Sequence, residues 1–127
     1  MEAKLSKSDI NNAVVCSETD SVIKAAKVMK VSRERHIYVI DKKQKPVGLI
    51  SVTDISNRIV ADEKDPKKLK AKDIMTSPVN SFKLGDSIEK ILKVMGKQGI
   101  FICPVTEKNK IIGECSMNSL INKLNRC

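Results

Sequence analysis

The densest chemistry in the chain lies in one short run, Gly48-Leu49-Ile50-Ser51-Val52-Thr53-Asp54. A glycine in an apolar stretch is followed by two hydroxyls, then by a carboxylate where a helix would begin. The free N–H groups of a helix start, with the Ser51 and Thr53 hydroxyls, suit a phosphate. A carboxylate beside them repels phosphate, so Asp54 has to face a donor. The 2′- and 3′-hydroxyls of a ribose meet that requirement, as they do in dinucleotide folds. The competing reading is that Ser51, Thr53 or Asp54 only caps the helix.

Little else points to catalysis. The chain has one histidine, His36, and neither a nucleophile–base arrangement nor a metal constellation, so a non-enzyme is expected. Cys16, Cys103, Cys115 and Cys127 show no CxxC spacing, which argues against zinc. Cys103 and Cys115 read most simply as small buried hydrophobes on neighbouring strands, and Met29, Met75 and Met95 as packing between helices.

The elements that must position Asp54 occur twice. Lys4-Leu5, Asp9-Ile10 and Val15 recur as Lys68-Leu69, Asp73-Ile74 and Val79. Asp20-Ser21-Val22 with Met29 recurs as Asp86-Ser87-Ile88 with Met95, and Gly48-Leu49-Ile50-Ser51 as Gly113-Glu114-Cys115-Ser116. Within the first copy, Ala13–Cys16 is extended and Glu18-Thr19-Asp20 offers capping oxygens to a helix over 21–29. Strands over 37–40 and 47–51 form a hairpin, and Thr53-Asp54 opens a helix to about Ala61. In the second copy 78–81 is extended, and Asp86 with Glu89 predicts a capping box for a helix over 87–95. Strands at 101–105 and 111–115 and a helix over 117–124 follow. Each repeat is thus β-α-β-β-α, with residues 1–61 as repeat 1, 62–72 as a basic linker and 73–127 as repeat 2.

At 127 residues the chain is one compact domain, large enough to bury a core. Aromatic residues are 2% of it, so that core is aliphatic and no base-stacking platform is available. The net charge of +9 favours an anionic ligand. It fits either a Lys-rich solvated surface or, as an alternative function, a nucleic-acid-binding accessory protein using Lys64 to Lys72. No apolar run approaches a membrane span, and free thiols without an export signal point to the cytoplasm.

The tandem β-α-β-β-α repeat, with Asp73-Ile74-Met75-Thr76 at its start and Gly-x-x-Ser-x-x-Asp at its end, resembles a cystathionine-β-synthase (CBS) domain pair, or Bateman module. The resemblance implies an α+β fold of two CBS repeats packed with pseudo-twofold symmetry. It also implies two clefts for adenosine-containing ligands such as AMP, ADP, ATP or S-adenosylmethionine, with no catalytic cofactor. Carried over, the primary cleft comprises Gly48, Ser51, Thr53, Asp54 and Arg58, with Leu69, Lys70, Ile74, Met75 and Thr76 from the opposite repeat's start and Phe101 from its middle strand. Asp54 would hold the ribose. The second, degenerate cleft comprises Ile10, Arg35, His36, Gly113, Ser116 and Ser119. There Ser119 replaces the family's Asp, so a carboxylate able to accept from both ribose hydroxyls gives way to a single hydroxyl.

The resemblance further implies a sensor that signals to an effector protein by a change of shape. A homodimer is expected through aliphatic residues of the helices at 21–29, 53–61, 87–95 and 117–124, which exceed what one small globule covers.

Overall fold

A computed structural model describes residues 2–126, so Cys127 lies outside the described residues. The chain divides into two compact units, residues 14–79 and residues 1–13 with 80–127. Each repeat's opening segment is therefore folded into the unit built on the other repeat's sheet.

The first unit contains β1 (Val15–Ser17), α1 (Val22–Ser32), β2 (His36–Ile40), β3 (Pro46–Ser51), α2 (Val52–Ile55) and α3 (Ala71–Ile74). Its sheet runs β1-β2-β3, with β1 parallel to β2 and β3 antiparallel to it. The parallel step requires a crossover, which α1 supplies. Ser21 caps α1 by accepting from the Lys24 amide at 3.2 Å. The helix buries Val22, Ala25 and Met29 against Ile37, Val39, Ile50, Ile59, Ala71 and Ile74. Burial of these aliphatic side chains is the main stabilising term of the unit.

The second unit has the same order: β4 (Phe82–Lys83), α4 (Ile88–Gln98), β5 (Ile102–Glu107), β6 (Lys110–Ser116) and α5 (Met117–Arg126). Its sheet runs β4-β5-β6 with the same directions. The core holds Leu5, Ile88, Ile91, Met95, Cys103, Val105, Cys115 and Leu120. Cys103 and Cys115 face each other across the β5–β6 ladder. Burial, followed by the neighbouring Cys115, pushes the Cys103 thiol up to about 12. Burial, then Glu114 and Asp9, takes Cys115 to about 11, so both are packing groups and not nucleophiles.

The structure corrects several local expectations. Glu89 forms no capping box with Asp86; Ser87 caps α4 by accepting from the Lys90 amide at 3.3 Å, while Asp86 Oδ2 accepts from the Lys83 amide at 2.8 Å. The same division holds in the first copy, where Asp20 Oδ2 takes the Ser17 amide at 2.9 Å and leaves the cap to Ser21. A carboxylate closing the preceding turn is thereby spent, and the next hydroxyl caps. The helix after β3 does not run to Ala61 as one α-helix, because α2 passes into a π turn over Ser56–Val60. The extended segment expected at 78–81 forms its strand later, at Phe82–Lys83.

The basic stretch after Ala61 makes backbone contacts with the first repeat. The Ile23 and Val22 amides donate to the carbonyls of Pro66 and Leu69, both at 2.9 Å, which ties it to the start of α1.

Candidate ligand-binding site

The corner between β3 and α2 is closed by a reciprocal cap. The Asp54 amide donates to Ser51 Oγ at 3.2 Å, and Asp54 Oδ2 accepts from the Ser51 amide at 2.9 Å and the Ser51 hydroxyl at 3.2 Å. The capping interpretation of Asp54 therefore holds for Oδ2. Oδ1 is turned the other way, where it accepts from Thr76 Oγ1 at 3.1 Å and has Arg58 Nε at 3.7 Å. Capping and presenting an acceptor do not compete, because each oxygen takes one task.

Thr76 reaches Asp54 because its segment lies flat across β3. The Leu49 amide donates to the Thr76 carbonyl at 3.0 Å, and the Thr76 amide returns to the Leu49 carbonyl at 2.8 Å. Such an approach is eased by a residue without a side chain. A Cβ on Gly48 would stand 2.4 Å from the Met75 sulfur. Arg58, one turn along the helix from Asp54, donates through Nη1 to the carbonyls of Ile74 at 3.1 Å and Met75 at 3.2 Å. Gly48, Ser51, Asp54, Arg58, Ile74, Met75 and Thr76 are thus gathered at one place. Thr53 is exposed on the first turn of α2. Leu69 and Lys70 instead serve the start of α1, Leu69 through its carbonyl and Lys70 through a bridge to Ser21. Phe101 belongs to the second unit.

The second unit repeats the corner with different chemistry. The Ser119 amide donates to Ser116 Oγ at 3.2 Å, and that hydroxyl donates to Ser119 Oγ at 3.0 Å. A Cβ on Gly113 would lie 2.7 Å from the Asn11 carbonyl oxygen and 3.2 Å from Ile10 Cδ1. The amides of Asn11 and Glu114 bond each other's carbonyls, both at 2.9 Å, in the place of the Leu49–Thr76 pair. Ile10, Gly113, Ser116 and Ser119 thus share one unit, whereas Arg35 and His36 belong to the first. There the Arg35 carbonyl accepts from the Val52 amide at 3.0 Å, and the His36 ring stands edge-on to Tyr38 at 5.4 Å.

The corresponding carbonyl of the second unit is that of Phe101, which accepts from the Met117 amide at 2.8 Å. The Phe101 ring is 68% exposed and borders an apolar depression of about 330 Å³ with Ser116, Met117 and Ile121. An arginine in one copy therefore has an aromatic counterpart in the other.

One feature escaped the sequence reading. Lys123 follows Arg58 at the repeat offset, and its Nζ donates to Asp9 Oδ2 at 2.6 Å, to the Lys4 carbonyl at 3.0 Å and to Ser6 Oγ at 3.3 Å. In each unit a cation on the last helix of a repeat pins the opening segment of the other. The repeat spacing, applied to Arg58, was the available signal.

Two α+β units, each a three-stranded mixed sheet with its own Gly-x-x-Ser corner and a borrowed opening segment, define a tandem CBS-type module. The CBS domain profile matches residues 8–61 and again 71–126, and the chain belongs to that family as a tandem pair. An uncharacterised protein of Methanopyrus kandleri is 25% identical over 111 residues, covering 87% of this chain and 57% of its own length. Homoserine O-acetyltransferase of Methanococcus vannielii is 32% identical over 108 residues, 84% of this chain but 22% of that enzyme, so the likeness reaches only a CBS portion of it. A CBS domain pair crystallised with 5′-methylthioadenosine and S-adenosyl-L-methionine superposes with a TM-score of 0.78 at 19% identity, covering 99% of this chain and 98% of that one. Modules of this family generally bind adenosine-containing ligands and are generally regulatory and not catalytic. Among the described residues no helix is long and apolar enough to cross a membrane.

Proposed function

We propose that this module binds an adenosine-containing ligand at Asp54 and passes the event to a partner protein by a change of shape. The observation that carries the reading is Asp54 Oδ1, an acceptor that the Ser51 cap leaves unused and that has a cation beside it at 3.7 Å, at the position where the resemblance puts the ribose. AMP, ADP, ATP and S-adenosylmethionine are the candidates. A CBS pair of the same fold carries S-adenosyl-L-methionine and methylthioadenosine, which supports the adenosyl class. The second corner is the weaker of the two, since Ser119 offers one hydroxyl and that group already accepts from Ser116.

Titration calorimetry with the four candidates tests the reading. Asp54→Asn keeps an acceptor for the Ser51 cap but removes the charge, and it is expected to weaken binding about tenfold or more. Absence of binding by every candidate at millimolar concentration would overturn the reading.

The module also acts, in this proposal, as a homodimer. Val31 is 85% exposed, Val60 68%, Val52 42% and Ile121 41%, and all four lie on helices. Burying such side chains against a second copy removes apolar surface from water. Sedimentation at tens of micromolar is expected to give a dimer mass, and a monomer with and without nucleotide would refute it.

A further inference from the structure

The Asp54 carboxylate has too few acceptor positions left for a ribose. A carboxylate offers about four lone-pair positions. Among the described residues three are in use: the Ser51 amide and hydroxyl on Oδ2, and the Thr76 hydroxyl on Oδ1. A ribose that donates both its 2′- and 3′-hydroxyls needs two, so one existing donor has to leave. The Ser51 amide is backbone at the end of β3, and the Ser51 hydroxyl is locked into the cap by the Asp54 amide. Thr76 is exposed, and its hydroxyl turns about one side-chain bond.

We infer that Thr76 competes with the ribose diol for Asp54, so that ligand binding exchanges the Thr76 hydroxyl for a ribose hydroxyl and loosens the segment Ile74–Thr76. This rests on the adenosyl reading above and adds its coupling step. Thr76 is one of the ties that hold the segment to the first repeat. Among the described residues its other hydrogen-bonded ties are the Leu49 backbone pair and the two Arg58 bonds to carbonyls, and Ile74 is also packed into the core of that unit. From Thr76 the chain runs only to Val79 before it enters the second unit. A tie released at Asp54 is therefore released close to the covalent link between the units, which makes Thr76 both an affinity-setting residue and the start of the signal.

The test uses the whole chain with AMP, S-adenosylmethionine and 2′-deoxy-AMP as probes. Thr76→Val removes the competing donor while keeping the branched shape, and it is expected to bind AMP or S-adenosylmethionine about threefold to tenfold more tightly than wild type. 2′-Deoxy-AMP needs only the vacant position, so its affinity is expected to change less than about twofold, below the worth of one hydrogen bond. Thr76→Ser restores the competing hydroxyl and is expected to show none of the gain in affinity seen with Thr76→Val. AMP is also expected to speed amide exchange at Leu49 and Thr76 in wild type, with no added effect in Thr76→Val. Unchanged or weaker binding of the diol ligands by Thr76→Val would overturn the competition while leaving the adenosyl site in place. No binding by wild type or variant would overturn the site itself, and the competition with it.

Discussion

Lys123→Met is expected to cost the second unit about 3 kcal/mol, whereas Arg58→Met at the matching position costs under about 1 kcal/mol. The difference is burial. The two carboxylates are similarly buried, Asp9 at 9% and Asp54 at 12% exposed, so the difference lies in the cations: Lys123 is 23% exposed and Arg58 48%. Among the described residues, removing Lys123 leaves the Asp9 carboxylate with Ser6 as its remaining donor, through the amide at 2.7 Å and the hydroxyl at 2.9 Å. Burial alone would raise the Asp9 pKa. The Lys123 and Ser6 hydrogen bonds outweigh it and hold the group below its ordinary 3.8. A depressed folded-state pKa means stability that is present above 3.8 and lost as pH falls through the lower folded value. Urea unfolding at neutral pH is the measurement. Its gap between wild type and Asp9→Asn should narrow as the medium is acidified below 3.8. Equal losses in Lys123→Met and Arg58→Met would refute the burial argument.

The order of strands and helices is legible in both copies because each copy reads the other. A weak pattern such as Asp20-Ser21-Val22 gains meaning when Asp86-Ser87-Ile88 repeats it. What is not legible is which of two adjacent acceptors caps. Asp86 and Ser87 both qualify by type, and only the folded turn, with the Lys83 amide within reach of Asp86, decides for Ser87. The π turn at Ser56–Val60 is equally hidden, since nothing in Ser56-Asn57-Arg58-Ile59-Val60 forbids an α-helix.

The site divides in the same way. The cluster around Asp54 is legible because three of its members, Gly48, Ser51 and Asp54, are close in sequence and recur or change in recognisable ways. Arg58 follows Asp54 by one helical turn, whereas Thr76 comes to it through the backbone pairing of Leu49 with Thr76, a tertiary contact with no local signature. Its trace is the glycine. Gly48 and Gly113 interrupt strands that would otherwise favour branched residues, and a glycine there marks a close backbone approach. Reading that mark in both copies would also have found Asn11, which occupies in the second unit the place of Thr76.

Gly113→Ala is the substitution that tests this approach most directly, and it is expected to destabilise the second unit by about 2–3 kcal/mol. The new Cβ would stand 2.7 Å from the Asn11 carbonyl oxygen, a backbone atom that moves only if its segment moves. The shift would strain or open the two Asn11–Glu114 backbone bonds, both now 2.9 Å. Gly48→Ala meets a different obstacle. Its nearest neighbours are the Met75 sulfur at 2.4 Å and Cγ at 2.7 Å, the far part of an unbranched side chain that can rotate away, with Cβ at 3.0 Å behind them. A cost of about 1 kcal/mol is expected there. Shortening Met75 in the double variant Gly48→Ala/Met75→Ala should recover part of it. Thermal unfolding of the four proteins, wild type included, supplies the comparison. A loss for Gly48→Ala as large as that for Gly113→Ala would show that Met75 cannot yield and that both strands are clamped with equal rigidity.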